Sequence, residues 1–419
     1  MRRTARVAVR ALAAVSVLGA GACSGGAGGE RASAPTPSPT TATGAIAVGA
    51  EATRTSAVEL RAGFTYLLTE HVYLAAAAAG SATLASSGEL TSPAARASLA
   101  ALDANAVALS TLIGALYPKG KAPFLVSWRQ RDSVLVDYAQ ATAAHDLGRA
   151  QRARRALDGF RATFGQLVGS LAPGLAPTTV ADELAPELAA ALRVTDAQRA
   201  GSAAQFAQLR SAAARMSATA AVLARGMAHD RGLGDADTAA GDLRAGLTAL
   251  LVADAYSVAV QVVATEAGPA GGSRAAASRR TAAATAEDEV ARALAQVVGA
   301  GYPSLPGPFL SAWRAQIGDL VGYADAGSRH DIHGQALARG RLDRDRNALG
   351  ALVHSVVPGL PAATLSDELR PQVAALLVAL DDAQQASPDA ASALRAAAAH
   401  APATAEVLAG GAAEDHKLH

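Results

Sequence analysis

Pro123-Phe-Leu-Val-Ser-Trp-Arg129 occurs twice in this chain: Pro308-Phe-Leu-Ser-Ala-Trp-Arg314 repeats it 185 residues later with five of seven positions identical. The agreement spreads outward. Tyr117-Pro118 matches Tyr302-Pro303, Pro173-Gly174-Leu175 matches Pro358-Gly359-Leu360, and Leu209-Arg210 matches Leu394-Arg395. Asp182-Glu-Leu-Ala-Pro186 matches Asp367-Glu-Leu-Arg-Pro371, and nearer the N-terminus Leu60-Arg-Ala-Gly63 matches Leu243-Arg-Ala-Gly246. One unit is written twice, and 419 residues suit two bodies of roughly 180 residues each.

Apolar residues in the first copy recur at steps of three and four, the period of amphipathic helices. Leu60, Phe64, Leu67, His71 and Leu74 share one stripe; Leu99, Leu102, Ala106, Leu109, Ile113 and Leu116 share a second; Phe124, Trp128, Arg131, Leu135 and Tyr138 share a third. Further helices are expected over about 148–171 and 180–196, and around Phe206, Leu209, Met216, Leu223 and Met227. Tyr117-Pro118, Pro173-Gly174 and Gly201 supply the stops. Alanine dominates and aromatics make up only 4%, which favours helix over sheet. The expected fold is all-α: two tandem homologous bundles of about six helices each. Large apolar side chains are few, so Trp128 and Trp313 should anchor the two cores. Leu250 to Val263 is apolar enough to suggest a membrane span, but Asp254 in its middle makes a buried core helix the better reading.

Residues 1–22 read as an export signal, with Arg2, Arg3, Arg6 and Arg10 before the short apolar run Ala11 to Leu18. The ending Leu18-Gly-Ala-Gly-Ala-Cys23 resembles a bacterial lipoprotein signal, which implies lipidation, such as a palmitate, on Cys23. An ordinary signal-peptidase site near Ala22 is the alternative. Cys23 is the only cysteine, so no disulfide framework is expected. Removing the signal takes away four Arg and no acid, leaving 33 basic against 36 acidic side chains, a net of −3. That balance argues against nucleic acid as a partner. The expected layout is a signal over 1–22, a Pro/Ser/Thr/Gly linker over 23–52, a first bundle over 53–229, a linker over 230–241, a second bundle over 242–411 and a tail over 412–419.

His71 and Arg131 are polar residues on apolar stripes, and each needs a partner if buried. Together with Trp128 and Tyr138 they form the candidate ligand-binding set. The plainer readings are a hydrogen-bonded core histidine and an arginine that extends to solvent. In the second copy these two positions hold Asp254 and Gln316. For Arg131 the available acids are Glu70, Asp103 and Asp132. His145-Asp146 and His330-Asp331 are retained between copies and read as caps at the end of the third helix, where a cation favours the dipole. His330 and His333 stand three apart, too few ligands for a firm metal site; His416 and His419 fall in the tail. Thr179 with Asp182, and Thr364 with Asp367, have capping-box spacing, while Pro186 and Pro371 should kink or restart those helices. No nucleophile elbow, P-loop, dinucleotide fingerprint or zinc-protease motif occurs in the sequence. No catalytic residue, metal or cofactor is therefore assigned.

At Leu67-Leu-Thr-Glu-His71-Val-Tyr-Leu, Leu102-Asp-Ala-Asn105 and Phe124-Leu-x-x-Trp128-Arg, the chain resembles exported tandem helical-repeat proteins of Gram-positive bacteria, some labelled copper-related. The resemblance implies a lipoprotein on the extracytoplasmic face of the cell membrane. Such proteins carry further histidines where this chain has Arg131 and Gln316, Pro186 or Glu187, and Arg215; His400 keeps one of them. The expected function is an exported, lipid-anchored, non-catalytic binding or interaction protein with an unknown protein or small ligand as partner. Extracytoplasmic binding of a transition metal such as copper, through His71, is the alternative.

Overall fold

The structure is a computed structural model that describes residues 51–84, 90, 92–266 and 274–418. Its described residues form helices and connecting turns, with no strand among them. Repeat 1 runs α1 (Ser56–Leu84), α2 (Pro93–Leu116), a 3₁₀ turn (Pro118–Gly120), α3 (Lys121–Ala143), α4 (Leu147–Leu171), α5 (Pro177–Arg199) and α6 (Ala204–Arg231). Repeat 2 runs α7 (Ala239–Glu266), α8 (Arg274–Val298), α9 (Pro306–Ser328), α10 (Ile332–Val356), α11 (Ala362–Gln384), α12 (Ala390–Ala398) and α13 (Ala401–His416). The all-α, duplicated architecture read from the sequence is the one observed. The signal, the tether and Cys23 lie outside the described residues.

Residues are equivalent at an offset of 183 in the first helix of each repeat and of 185 from α2 and α8 onward. The repeats differ most in the last helix. Where α6 is continuous, its counterpart is split into α12 and α13, and Pro402 stands at the start of α13. A proline there has no N–H to continue the ladder from α12.

α1 is buried on nearly every side, and so is its counterpart α7. Each is wrapped by the later helices of its own repeat, and they also pack on each other. Long apolar helices without a polar face belong in such a position. By length and composition α2 and 239–264 could cross a membrane. Here Leu251, Val252, Asp254, Ala255, Tyr256, Val258 and Val262 are all buried in protein, as expected for a core helix.

The α1–α7 contact has pseudo-twofold symmetry. Tyr73 stacks on its equivalent Tyr256, with centroids 5.0 Å apart and planes 14° from parallel. Nearer the helix starts, Arg61 pairs with Asp242 at 2.6 Å and bonds the Ala236 carbonyl at 2.9 Å. Its equivalent Arg244 pairs with Glu59 at 2.7 Å and bonds the Thr53 carbonyl, the position that matches Ala236. Equivalent residues meet at two levels along the helices, so α1 and α7 run side by side in the same direction. Such self-complementary contact is what a symmetric dimer uses, here within one chain. One apolar core spans both repeats.

Several local expectations are corrected. α5 begins at Pro177 after an extended Ala176, and α11 begins after Pro361; neither Thr179 nor Thr364 caps a helix. Pro177 presets the helical φ at the first position of α5, and Pro361 is the extended residue before α11, so both helices begin two residues before the threonine. Pro186 and Pro371 lie inside helices that continue to Arg199 and Gln384, so they restart nothing. His145 and His330 each adopt a left-handed conformation, φ 57°. The amides of Asp146 and Asp331 return to the carbonyls of Ala141 and Ala326, closing a Schellman turn after α3 and after α9. The capping side chains are the aspartates, which accept from Arg149 N and Gly334 N at 2.8 Å to open the next helix. The expected tail over 412–419 is largely helix: α13 reaches His416, whose ring lies 4.6 Å from that of Tyr302. The linker between the repeats is shorter than expected, spanning 232–238.

Candidate functional site

Three helices of repeat 1 aim polar groups at one buried point. α1 supplies His71, α3 supplies Trp128, Arg131 and Asp132, and α5 supplies Glu187; all five are buried. Arg131 follows Trp128 by three residues, so both side chains leave the same face of α3. Its Nη1 donates to Asp132 Oδ1 at 2.9 Å and to His71 Nε2, and its Nη2 donates to Glu187 Oε1. The guanidinium also lies 5.1 Å from the Trp128 ring centroid. The arginine therefore stays inside, and of the three acids available in the sequence Asp132 is its partner.

His71 is neutral and its tautomer follows from its partners. Nε2 must accept from Arg131, so the proton sits on Nδ1 and is donated to Asn105 Oδ1 at 3.2 Å. Asn105 is fixed in that orientation by its own donations to the Leu67 carbonyl at 2.9 Å and to Glu70 Oε2 at 2.8 Å. Trp128 Nε1, 3.3 Å from the protonated Nδ1, is then an edge contact, and the two rings meet at 64°. Burial lowers the His71 pKa, and the Arg131 charge lowers it further. Burial pushes Asp132 up to about 7 against the opposing pull of Arg131, and it raises Glu187 for the same reason.

Asn105 links this centre to the other repeat. Glu70, beside His71 on α1, faces away and contacts Tyr256 Oη at 3.3 Å and Arg395 at 3.2 Å, both from repeat 2.

Tyr138 is not part of this constellation. It lies farther along α3, where its hydroxyl donates to Asp196 at 2.7 Å and Arg154 stacks over its ring. Repeat 2 has the same trio in Tyr323, Asp381 and Arg339. The expected group of four is thus a group of three, and it gains Asp132, Glu187 and Asn105. Glu187 had a signal in the sequence, since it stands on the stripe Val180, Leu184, Glu187, Val194 of α5.

The equivalent point in repeat 2 is built differently. Asp254 takes the place of His71 and accepts from Trp313 Nε1 at 2.8 Å. Gln316 replaces Arg131, Gln372 replaces Glu187 and Ile317 replaces Asp132, while Glu287 of α8 stands where repeat 1 has Leu102. Glu287 also lies on an apolar stripe, with Ala283, Val290 and Leu294, and its burial was legible there.

Two concavities reach the surface. A groove of about 760 Å³ between α3 and α4 is lined by Val126, Val134, Phe160 and the edge of Arg131. A cleft of about 1130 Å³ opens at the end of repeat 2, with Val262, Val321 and Ile332 beside the cations Arg280, Arg329 and Arg339, His330, and the acids Asp325 and Asp381. In repeat 1 the positions of Arg280, Arg329 and Gln335 are Ala95, Ala144 and Ala150. Among the described residues no three His, Cys, Asp or Glu side chains form a metal-ligand group. No protein-family model matches the chain, and neither a curated protein nor a solved structure matches it.

Proposed function

We propose that this is an exported, non-catalytic binding protein, held on the extracytoplasmic face of the cell membrane by a lipid on Cys23. Its ligand site is the cleft at the end of repeat 2. The observation that carries the reading is the contrast between copies: three alanines of repeat 1 are replaced by Arg280, Arg329 and Gln335 around an apolar floor. An apolar pocket with a few convergent polar groups is the usual form of a small-molecule site. Arg329 pairs with Asp325 at 2.7 Å and Arg339 lies 3.9 Å from Asp381, so Arg280 supplies the charge that favours an organic anion with an apolar part. The signal-like residues 1–22 and the Pro-rich stretch after Cys23 support the tethered location.

The cleft is tested with an aromatic sulfonate, anilinonaphthalene sulfonate, as probe. Its fluorescence should rise with the native protein and fall back at least several-fold with Arg280→Glu and Arg339→Glu. An unchanged signal in both variants would remove the cleft from consideration. The anchor is tested separately, by fractionating cells that express Cys23→Ala; release of the protein from membranes is expected.

Transition-metal binding through His71 is less well supported. Its Nε2 faces a guanidinium and its Nδ1 is occupied by Asn105, so a metal would have to displace Arg131. Copper titration of His71→Ala against the parent distinguishes this reading, which requires binding that the substitution abolishes.

A further inference from the structure

Repeat 1 places two buried acids, Asp132 and Glu187, around a guanidinium. Repeat 2 also buries two acids, Asp254 and Glu287, but the side chain at the guanidinium position is the neutral amide of Gln316. Trp313 fixes the register: its indole donates to Asp254, and Gln316, one turn further along α9, faces the same point as Arg131 does beside Trp128. Glu287 Oε1 and Gln316 Oε1 are buried and have no hydrogen-bond partner. Unpartnered oxygens in a low-dielectric interior are costly, and one of these belongs to a carboxylate. The nearest cation to act on Glu287 is Arg314, which is exposed and paired with Asp288 at 2.6 Å. Burial pushes Asp254 up to about 7; burial and the Asp254 charge push Glu287 to about 8. Asp254 of α7 and Glu287 of α8 are thus close enough to repel each other, Gln316 of α9 stands at the position that Arg131 holds in repeat 1, and neither acid has a buried side-chain cation as partner.

We propose that the core of repeat 2 binds one hard divalent cation, of the calcium or manganese type, through the carboxylates of Asp254 and Glu287 and the amide oxygen of Gln316. An all-oxygen donor set with two carboxylates suits such ions, which take amide oxygens and water to complete their shell. The bound ion fills the electrostatic role that Arg131 plays in repeat 1.

The test uses the purified full-length chain, scanned thermally in EDTA and in about 1 mM Mn²⁺ or Ca²⁺, with bound Mn²⁺ counted by electron paramagnetic resonance. Near pH 8 the cation should raise Tm by about 4 °C with one Mn²⁺ per chain. Asp254→Asn and Glu287→Gln should each abolish the shift and the bound manganese. Gln316→Arg, which restores the internal cation of repeat 1, should abolish the response while holding Tm in EDTA at or above that of the parent. Absence of bound Mn²⁺ and of any shift in the parent near pH 8 would overturn the proposal. So would a response retained by both neutral variants. Should either neutral variant not fold, Gln316→Arg decides: a response retained there overturns the site, and its loss supports it.

Discussion

The polar centres of the two repeats sit at the same place in the same scaffold, yet only one of them contains its own counter-charge. In repeat 1 the Trp128 indole lies among Phe124, Phe160, Phe164 and His71, and Arg131 bridges His71, Asp132 and Glu187. In repeat 2 Trp313 stacks on Phe309 and gives its N–H to Asp254, while Glu287 and Gln316 keep bare oxygens. Helix packing was preserved while the charges at its centre were exchanged. The indole volume and the small seam residues set the packing; the polar side chains only need to satisfy one another.

That contrast can be broken or sharpened by substitution. The largest effect is expected from Trp128→Ala, about 4–5 kcal/mol in urea unfolding, with Trp313→Ala costing nearer 3 kcal/mol because fewer rings surround it. Equal losses would mean that the aromatic cluster of repeat 1 adds nothing beyond the indole volume. Arg131→Met should cost about 3–5 kcal/mol, since it leaves two buried acids and a histidine acceptor without their donor. Gln316→Met should cost less than about 1 kcal/mol, and a comparable loss at both positions would refute the charge asymmetry.

The pH response has a definite sign. The folded-state pKa values of Asp254 and Glu287, about 7 and about 8, lie above their ordinary carboxylate values. The folded chain therefore holds more protons than the unfolded one. Their contribution is fully present below about pH 4 and is lost as pH rises to about 8 in cation-free buffer. His71 acts in the opposite sense: it is neutral in the fold, and its contribution is lost as pH falls below about 6.5. Thermal scans in EDTA should show Tm declining from pH 5.5 to 8.5 in the parent and declining less steeply in Asp254→Asn/Glu287→Gln, where Asp132 and Glu187 still contribute. A slope unchanged by the double substitution would place its origin elsewhere.

Moderate to small effects are expected at the α1–α7 seam. Arg244, almost wholly buried, bonds Glu59, Glu406 and the Thr53 carbonyl, whereas its equivalent Arg61 pairs with the exposed Asp242. Arg244→Ala should cost about 2 kcal/mol and Arg61→Ala about 0.5 kcal/mol, by the same unfolding assay. Reversal of that order would show that burial does not govern the reciprocal pairs.

Much of this molecule was legible from residues alone. Helix period, Pro and Gly punctuation and the repeated Trp-Arg stretch gave the helices within a few residues, and the lone polar residues on apolar stripes pointed at His71 and Arg131. Tyr138 was grouped with them because it shares the α3 stripe, but its place seven residues beyond Arg131 puts it about 10 Å further along the helix axis. The threonine caps failed because both helices begin two residues earlier, at Pro177 and Ala362.

By itself the sequence determined that the chain is duplicated, helical and anchored on two indoles, because periodicity and turn chemistry are local properties that each segment carries with it. Only the tertiary structure decided which acid meets Arg131, that His71 is neutral with its proton on Nδ1, that Glu287 lies by Asp254, and that α1 and α7 join the repeats into one body. Those outcomes depend on the rotation of each helix about its axis and on which faces meet. They are settled by packing between segments far apart in the chain, where residue spacing carries no information.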